Sequence, residues 1–198
     1  MKKITAMLLC LMMVLALVGC GAQKAENEIT ALFDEGYEAT LTTYDETSWT
    51  GVFQKDGGWD TVYMVKAAMT AKQYADYDAI GWDDEKCDEK KAAILGELTD
   101  VVVTDITDKV PSQEELDSYI GMTMGELEDA GFESTGYVGD EDMGYSFFYD
   151  GPAYSLTVTP AEDQTIDDLD DYSANDLRAI TIGAVEFTGF SFNLLDGE

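Results

Sequence analysis

The 198-residue chain has no histidine and a single arginine, Arg178. Without histidine there is no Ser-His-Asp triad, no Cys-His pair and no imidazole ligand for zinc. Basic residues number 11 against 41 acidic ones, a formal charge of −30. That balance excludes a nucleic-acid backbone as partner, because neutralising phosphates needs clustered Lys and Arg. Proline and cysteine are scarce, at three residues each. Cys10 lies inside an N-terminal apolar run and Cys20 just behind it, which leaves Cys87 alone in the rest of the chain. Stability must therefore come from packing, not from a disulfide. Cys87 stands among Asp and Glu, poor surroundings for a thiolate nucleophile, and is expected to be a half-buried helix residue in an insertion. No phosphate-cradling Gly-rich loop occurs. Carboxylates are too numerous to single out a glycosidase pair. The expectation is a non-catalytic protein.

What is present starts at the N-terminus. Lys2 and Lys3 precede an uncharged run from Ile4 to Val18, the length and composition of a signal-peptide h-region. Leu17-Val18-Gly19-Cys20 follows, and this resembles the lipobox of bacterial lipoprotein precursors. The resemblance implies cleavage before Cys20, a thioether lipid on Cys20 and acylation, as with palmitate, of the new N-terminus. The alternative is an uncleaved anchor, since the uncharged stretch to Gln23 is long enough to span a bilayer. Gly19, Cys20, Gly21 and Ala22 make a poor membrane exit, which argues against that. Either way the rest of the chain is expected outside the cytoplasm, fixed to the cell membrane. Loss of Lys2 and Lys3 would leave 9 basic and 41 acidic residues, a net charge of about −32. Such a domain is repelled by an anionic surface and stands away from it. With 45% hydrophobic and 11% aromatic residues it still has the means to fold.

An internal repeat organises the remainder. "LFDEGYEATL" (32–41) matches "LEDAGFESTG" (127–136) at an offset of 95 residues, with Leu, Asp, Gly, Glu and Thr in common. Phe53 pairs with Phe148 at the same offset, and "QYADYDA" (73–79) with "DLDDYSA" (168–174). The turn Asp56-Gly57 answers Asp150-Gly151. Apolar positions and turns recurring in order indicate duplication. Each copy reads as a helix followed by strands. Helices are expected over about 26–35 and, in two pieces, 112–130. Ser112/Glu115 and Thr123/Glu126 fit the capping box, and Gly36 and Gly131 the left-handed position that ends a helix. Strands are expected over 37–44, 49–55 and 60–67, with "DGG" as hairpin turn, then 101–107; and over 145–149, 153–159 and 179–188. Copy one carries an extra segment, about 82–100. The predicted architecture is α+β: two tandem repeats, each with helices packed on an antiparallel sheet of about four strands. The expected boundaries are a signal peptide 1–19, a tether 20–27, repeat one 28–108, a linker 109–112 and repeat two 113–198.

"GMTMGEL" (121–127) resembles the helix-start motif of the SmpA/OmlA outer-membrane lipoproteins and of the β-lactamase-inhibitor-protein family. In that motif Gly-Met-Thr leads into a helix that an acidic or amide residue caps, here Thr123 with Glu126. The inhibitor family is a tandem repeat of helices on four-stranded sheets. The resemblance implies a partner bound on a concave, aromatic-rich sheet face.

Two sets of residues are candidates for a site. Asp140 with Asp142, and Asp168 with Asp171, place carboxylates close together, as Ca²⁺ binding requires, although neither stretch fits an EF-hand loop. Their other reading is solvated charge. Aromatic columns form the second set: Trp49, Phe53, Trp59 and Tyr63 in copy one, Tyr145, Phe147 and Tyr149 in copy two, with Phe148 pointing the other way. One column per copy is either the core beneath the helix or an open platform of the kind found at interface hot spots. An open platform rimmed by acid suits a protein, especially a basic one, or a glycan. The leading expectation is thus a membrane-anchored binding or protein-interaction module. The alternatives are a structural envelope-assembly lipoprotein and an acidic Ca²⁺-dependent adhesion or sensor module.

Overall fold

The computed structural model describes residues 27–55, 57–81, 85–140, 144–164, 166 and 169–196. Cys20, Asp142 and Asp168 lie outside the described residues, as does the side chain of Asp140. Among the described residues no helix is long and apolar enough to cross a membrane.

Two four-stranded antiparallel meanders form, and each keeps its strands in chain order. The first contains β1 (Tyr37–Tyr44), β2 (Ser48–Lys55), β3 (Gly58–Ala68) and β4 (Thr99–Asp105). Its helices are α1 (Glu28–Asp34), α2 (Ala71–Asp78) and α3 (Cys87–Leu95). The second contains α4 (Gln113–Tyr119), α5 (Met124–Asp129), β5 (Glu133–Asp140), β6 (Gly144–Asp150), β7 (Tyr154–Pro160), α6 (Ala174–Arg178) and β8 (Ile182–Phe190). A C-terminal helix α7 (Phe192–Asp196), absent from the sequence-based expectation, follows. The α+β architecture of two similar halves is therefore as expected.

Local chemistry explains the ends of these elements. Asn27 caps α1 by accepting from the Thr30 amide at 3.1 Å. Its amide nitrogen donates to Leu95 O and Leu98 O, which ties α1 to the end of α3. Gly36 and Gly131 have φ of +85° and +98°, the left-handed geometry that stops α1 and α5. Thr123 and Glu126 close a full capping box on α5, and the amide and hydroxyl of Thr123 hold the Glu126 carboxyl below its ordinary pKa. At Ser112 only half the box forms, because Glu115 accepts instead from the Tyr154 hydroxyl at 2.6 Å. Arg178 bridges to Glu128 and Asp129, carboxylates that crowd the negative end of α5.

The repeat extends to a shared irregularity. β1 bulges at Thr40 and β5 at Thr135, which is one offset of 95 further on. Each threonine hydroxyl donates across to the neighbouring strand, Thr40 to Val52 O and Thr135 to Phe148 O. The registers Leu41↔Val52 and Gly136↔Phe148 make Val52 the counterpart of Phe148. Phe53 corresponds to Tyr149, so the expected Phe53–Phe148 pairing is wrong by one residue. "QYADYDA" and "DLDDYSA" also fail to superpose as helices: α2 begins after Thr70, but α6 begins only after Ser173.

One face of each sheet is buried beneath helices. Trp49, Phe53 and Val65 meet Ile29, Leu32, Tyr77 and Leu95 in the first half. Phe147, Tyr149, Leu156 and Val158 meet Leu116, Met124 and Leu127 in the second. A third cluster joins the halves: Val52 and Val62, on the outer face of sheet one, pack with Ile106, Phe190 and Leu195. The outer face of sheet one is thus covered at β2 and β3, while Val102 and Val103 on its edge strand β4 stay exposed. Sheet two leaves Val138 and Phe148 exposed.

Candidate functional site

The seven aromatic candidates do not form one platform. Trp49, Phe53, Phe147 and Tyr149 are buried in the two helix-covered cores, which overturns the open-face reading for them. The physical reason is their register, which aims all four at the helices, where burial of a large ring is most favourable. Trp59 leaves the column of Tyr63 and packs at 4.7 Å on Phe187 and 5.8 Å on Phe190, ring centre to ring centre. It stitches the halves together. Tyr63 is half-buried against Tyr37, and Tyr145 is half-buried beside Tyr137. The large apolar side chains that do face solvent in the second half include Tyr137, Val138 and Phe148 around the β5–β6 hairpin. Asp171 sits exposed in a short 3-10 turn, and among the described residues no group of three or more Asp, Glu, Cys or His is placed to hold a metal ion.

A concave site lies elsewhere, between β1 and α3. The cleft encloses about 510 Å³, in the range of small-molecule sites. Phe33, Ala39, Ala92 and Leu95 give it an apolar lining. Thr42 and Tyr77 add hydroxyls, and Glu38, Asp88, Glu89 and Lys91 supply charge. The bulge at Thr40 positions the strand side of the cleft. It resets the alternation of β1, so that Ala39 and Thr42 both turn to the helices. The helix side comes from the segment that copy two lacks.

Tyr77, a buried core residue, forms part of the wall of this cleft. Its ring lies edge-on to Tyr44 at 4.9 Å, and the Lys91 ammonium stands 5.2 Å above its face. Burial pushes the Tyr77 hydroxyl pKa up, while the neighbouring Trp49 and Thr42 side chains pull the other way. The buried Trp49 indole N–H has no hydrogen-bond acceptor. An aromatic face, an apolar lining and carboxylates together can hold a small molecule that is part apolar and part charged. Sequence reasoning missed Glu38, Thr42, Tyr77 and Lys91. The available signal was the insertion itself, the largest difference between the copies.

No protein-family model, no curated protein and no solved structure matches the chain.

Proposed function

We propose that the chain is a lipid-anchored protein of the extracytoplasmic face of a cell membrane, whose folded part is a non-catalytic binding module. The anchor rests on Lys2, Lys3, the apolar run and Cys20. Binding rests on one observation, the cleft of about 510 Å³ that α3 builds against β1. Small-molecule fragments of cationic, neutral and anionic character, titrated against the full chain in detergent, test it. A variant with Ala92→Trp fills the cleft. At least one fragment class is expected to bind the native chain and not this variant. Equal binding to both, or none to either, removes the reading. Replacing Cys20 by Ser is expected to abolish lipid attachment and release the protein from membranes; retention in the membrane fraction would point to an uncleaved anchor.

Exposed Val138 and Phe148, together on the outer face of sheet two, favour a second reading, contact with a protein partner. Capture from envelope extracts that is lost in a Val138→Ser, Phe148→Ser double variant would support it. Capture that the double variant retains would exclude this face.

A further inference from the structure

We propose that the cleft between β1 and α3 binds an organic ammonium ion with an apolar body, its cationic head on the face of Tyr77. This rests on the reading of the cleft as a ligand site.

Three observations converge on that class of ligand. The protein already sets an ammonium there, because Lys91 Nζ lies 5.2 Å from the centre of the Tyr77 ring. The negative face of an aromatic ring attracts a cation, most strongly where water is partly excluded. Tyr77 is 4% exposed, Lys91 lies over its face, and Tyr44, edge-on at 4.9 Å, holds the ring from another side. Second, Glu38, Asp88 and Glu89 outnumber Lys91 among the lining residues, in a chain of net charge −30. An anionic ligand would meet that field as repulsion, and a cation as steering. Third, Phe33, Ala39, Ala92 and Leu95 offer no hydrogen bonds and match a hydrocarbon body. An inorganic cation would leave that lining unused.

Lys91 is then an internal competitor. It is half-buried on a four-carbon stem, and an incoming ammonium would take its place over the ring. The competition separates a site from diffuse attraction to an acidic surface. Lys91→Met and Lys66→Met remove the same charge, but Lys66 is exposed on β3 and does not line the cleft.

The test is calorimetric titration of the full chain in detergent with benzylammonium, benzyl alcohol and benzoate. Salt is kept at about 0.15 M, where exposed charges are screened beyond about 8 Å. Benzylammonium is expected to bind one site at least about tenfold tighter than benzyl alcohol, a difference of about 1.4 kcal/mol. Lys91→Met should tighten it about threefold or more, while Lys66→Met stays within about twofold. Glu38→Gln with Glu89→Gln should weaken it about fivefold. Benzyl alcohol or benzoate binding as tightly as benzylammonium overturns the proposal and leaves the cleft a ligand site of another class. Equal effects of the two lysine substitutions overturn it in favour of diffuse electrostatics. Absence of binding by all three probes overturns the proposal, and the fragment titration with Ala92→Trp then decides the reading beneath it.

Discussion

Val52 and Phe148 hold equivalent positions, each next to the threonine-stabilised bulge of its sheet, yet Val52 is fully buried and Phe148 is 36% exposed. The difference is α7. It follows β8 in the chain but packs Leu195 on the outer face of sheet one, with Val52 and Val62. Nothing comparable covers Phe148 among the described residues. Val52→Ala should therefore cost about 2 kcal/mol, the worth of a buried branched side chain. Phe148→Ser should cost less, about 1 kcal/mol, because part of its ring already lies in water. Urea unfolding of both variants decides this, and similar losses would mean that Phe148 is covered.

Gly51 lies under the Trp49 indole. A Cβ at residue 51 would stand 2.3 Å from the ring. The counterparts in repeat two are Tyr145 for Trp49 and Phe147 for Gly51, so bulk is exchanged between neighbouring positions on one face. Gly51→Val should destabilise by about 1–3 kcal/mol through overpacking. Trp49→Phe in the same chain should recover part of that, giving a non-additive cycle in thermal melts. Strict additivity would show that the two residues do not share space.

Tyr154 donates to Glu115 and shares a 2.9 Å contact with the Tyr119 hydroxyl. Burial first, then these neighbours, raises its pKa far above the ordinary value. A group raised in the folded state contributes stability that is complete below its unfolded pKa, about 10, and is lost as pH climbs toward the folded value. Alkaline unfolding is expected above about pH 10. Tyr154→Phe should cost about 1 kcal/mol near neutrality and move the alkaline midpoint upward. An unchanged alkaline limb would remove Tyr154 as its cause.

Asp45 closes the β1–β2 turn by accepting from Thr47 N, Thr47 Oγ1 and Ser48 N at 2.7–2.8 Å. These bonds, the Thr47 hydroxyl foremost, lower its pKa to about 2. The sign is that of a depressed acid: its contribution is present above the unfolded value, about 3.9, and disappears as pH falls through about 2. Carboxyl-carbon NMR titration should place Asp45 below the other aspartates, and Thr47→Val should return it toward the ordinary range. A normal titration in the native chain would show that the turn is open in solution.

Local features were readable in the chain. Thr123 with Glu126, Gly36 and Gly131 needed only near neighbours, and each does what its type and spacing require. The two-fold order of elements was also legible, because periodicity and turn residues recur together. Legibility failed where a distant segment intervened. Glu115 was expected to complete the Ser112 capping box, but Tyr154, 39 residues away, takes its carboxylate. Trp59 was expected in one column with Tyr63, and Phe187 and Phe190 draw it to the other half. Tyr44 pairs with Trp49 but its counterpart Gly139 with Tyr145, so the second hairpin is one residue longer, which is why Phe53 was matched to the wrong partner.

By itself the sequence determined an acidic, histidine-free α+β chain in two similar halves, with helix ends and most strands in place, since composition, capping and alternation are local properties. Only the tertiary structure decided which aromatic rings are core and which face water, because the two readings of an alternating strand differ solely in what lies across from it. It also decided the cleft. Tyr77, Lys91 and Glu38 come from three separate elements, and their meeting depends on how α3 rests against β1.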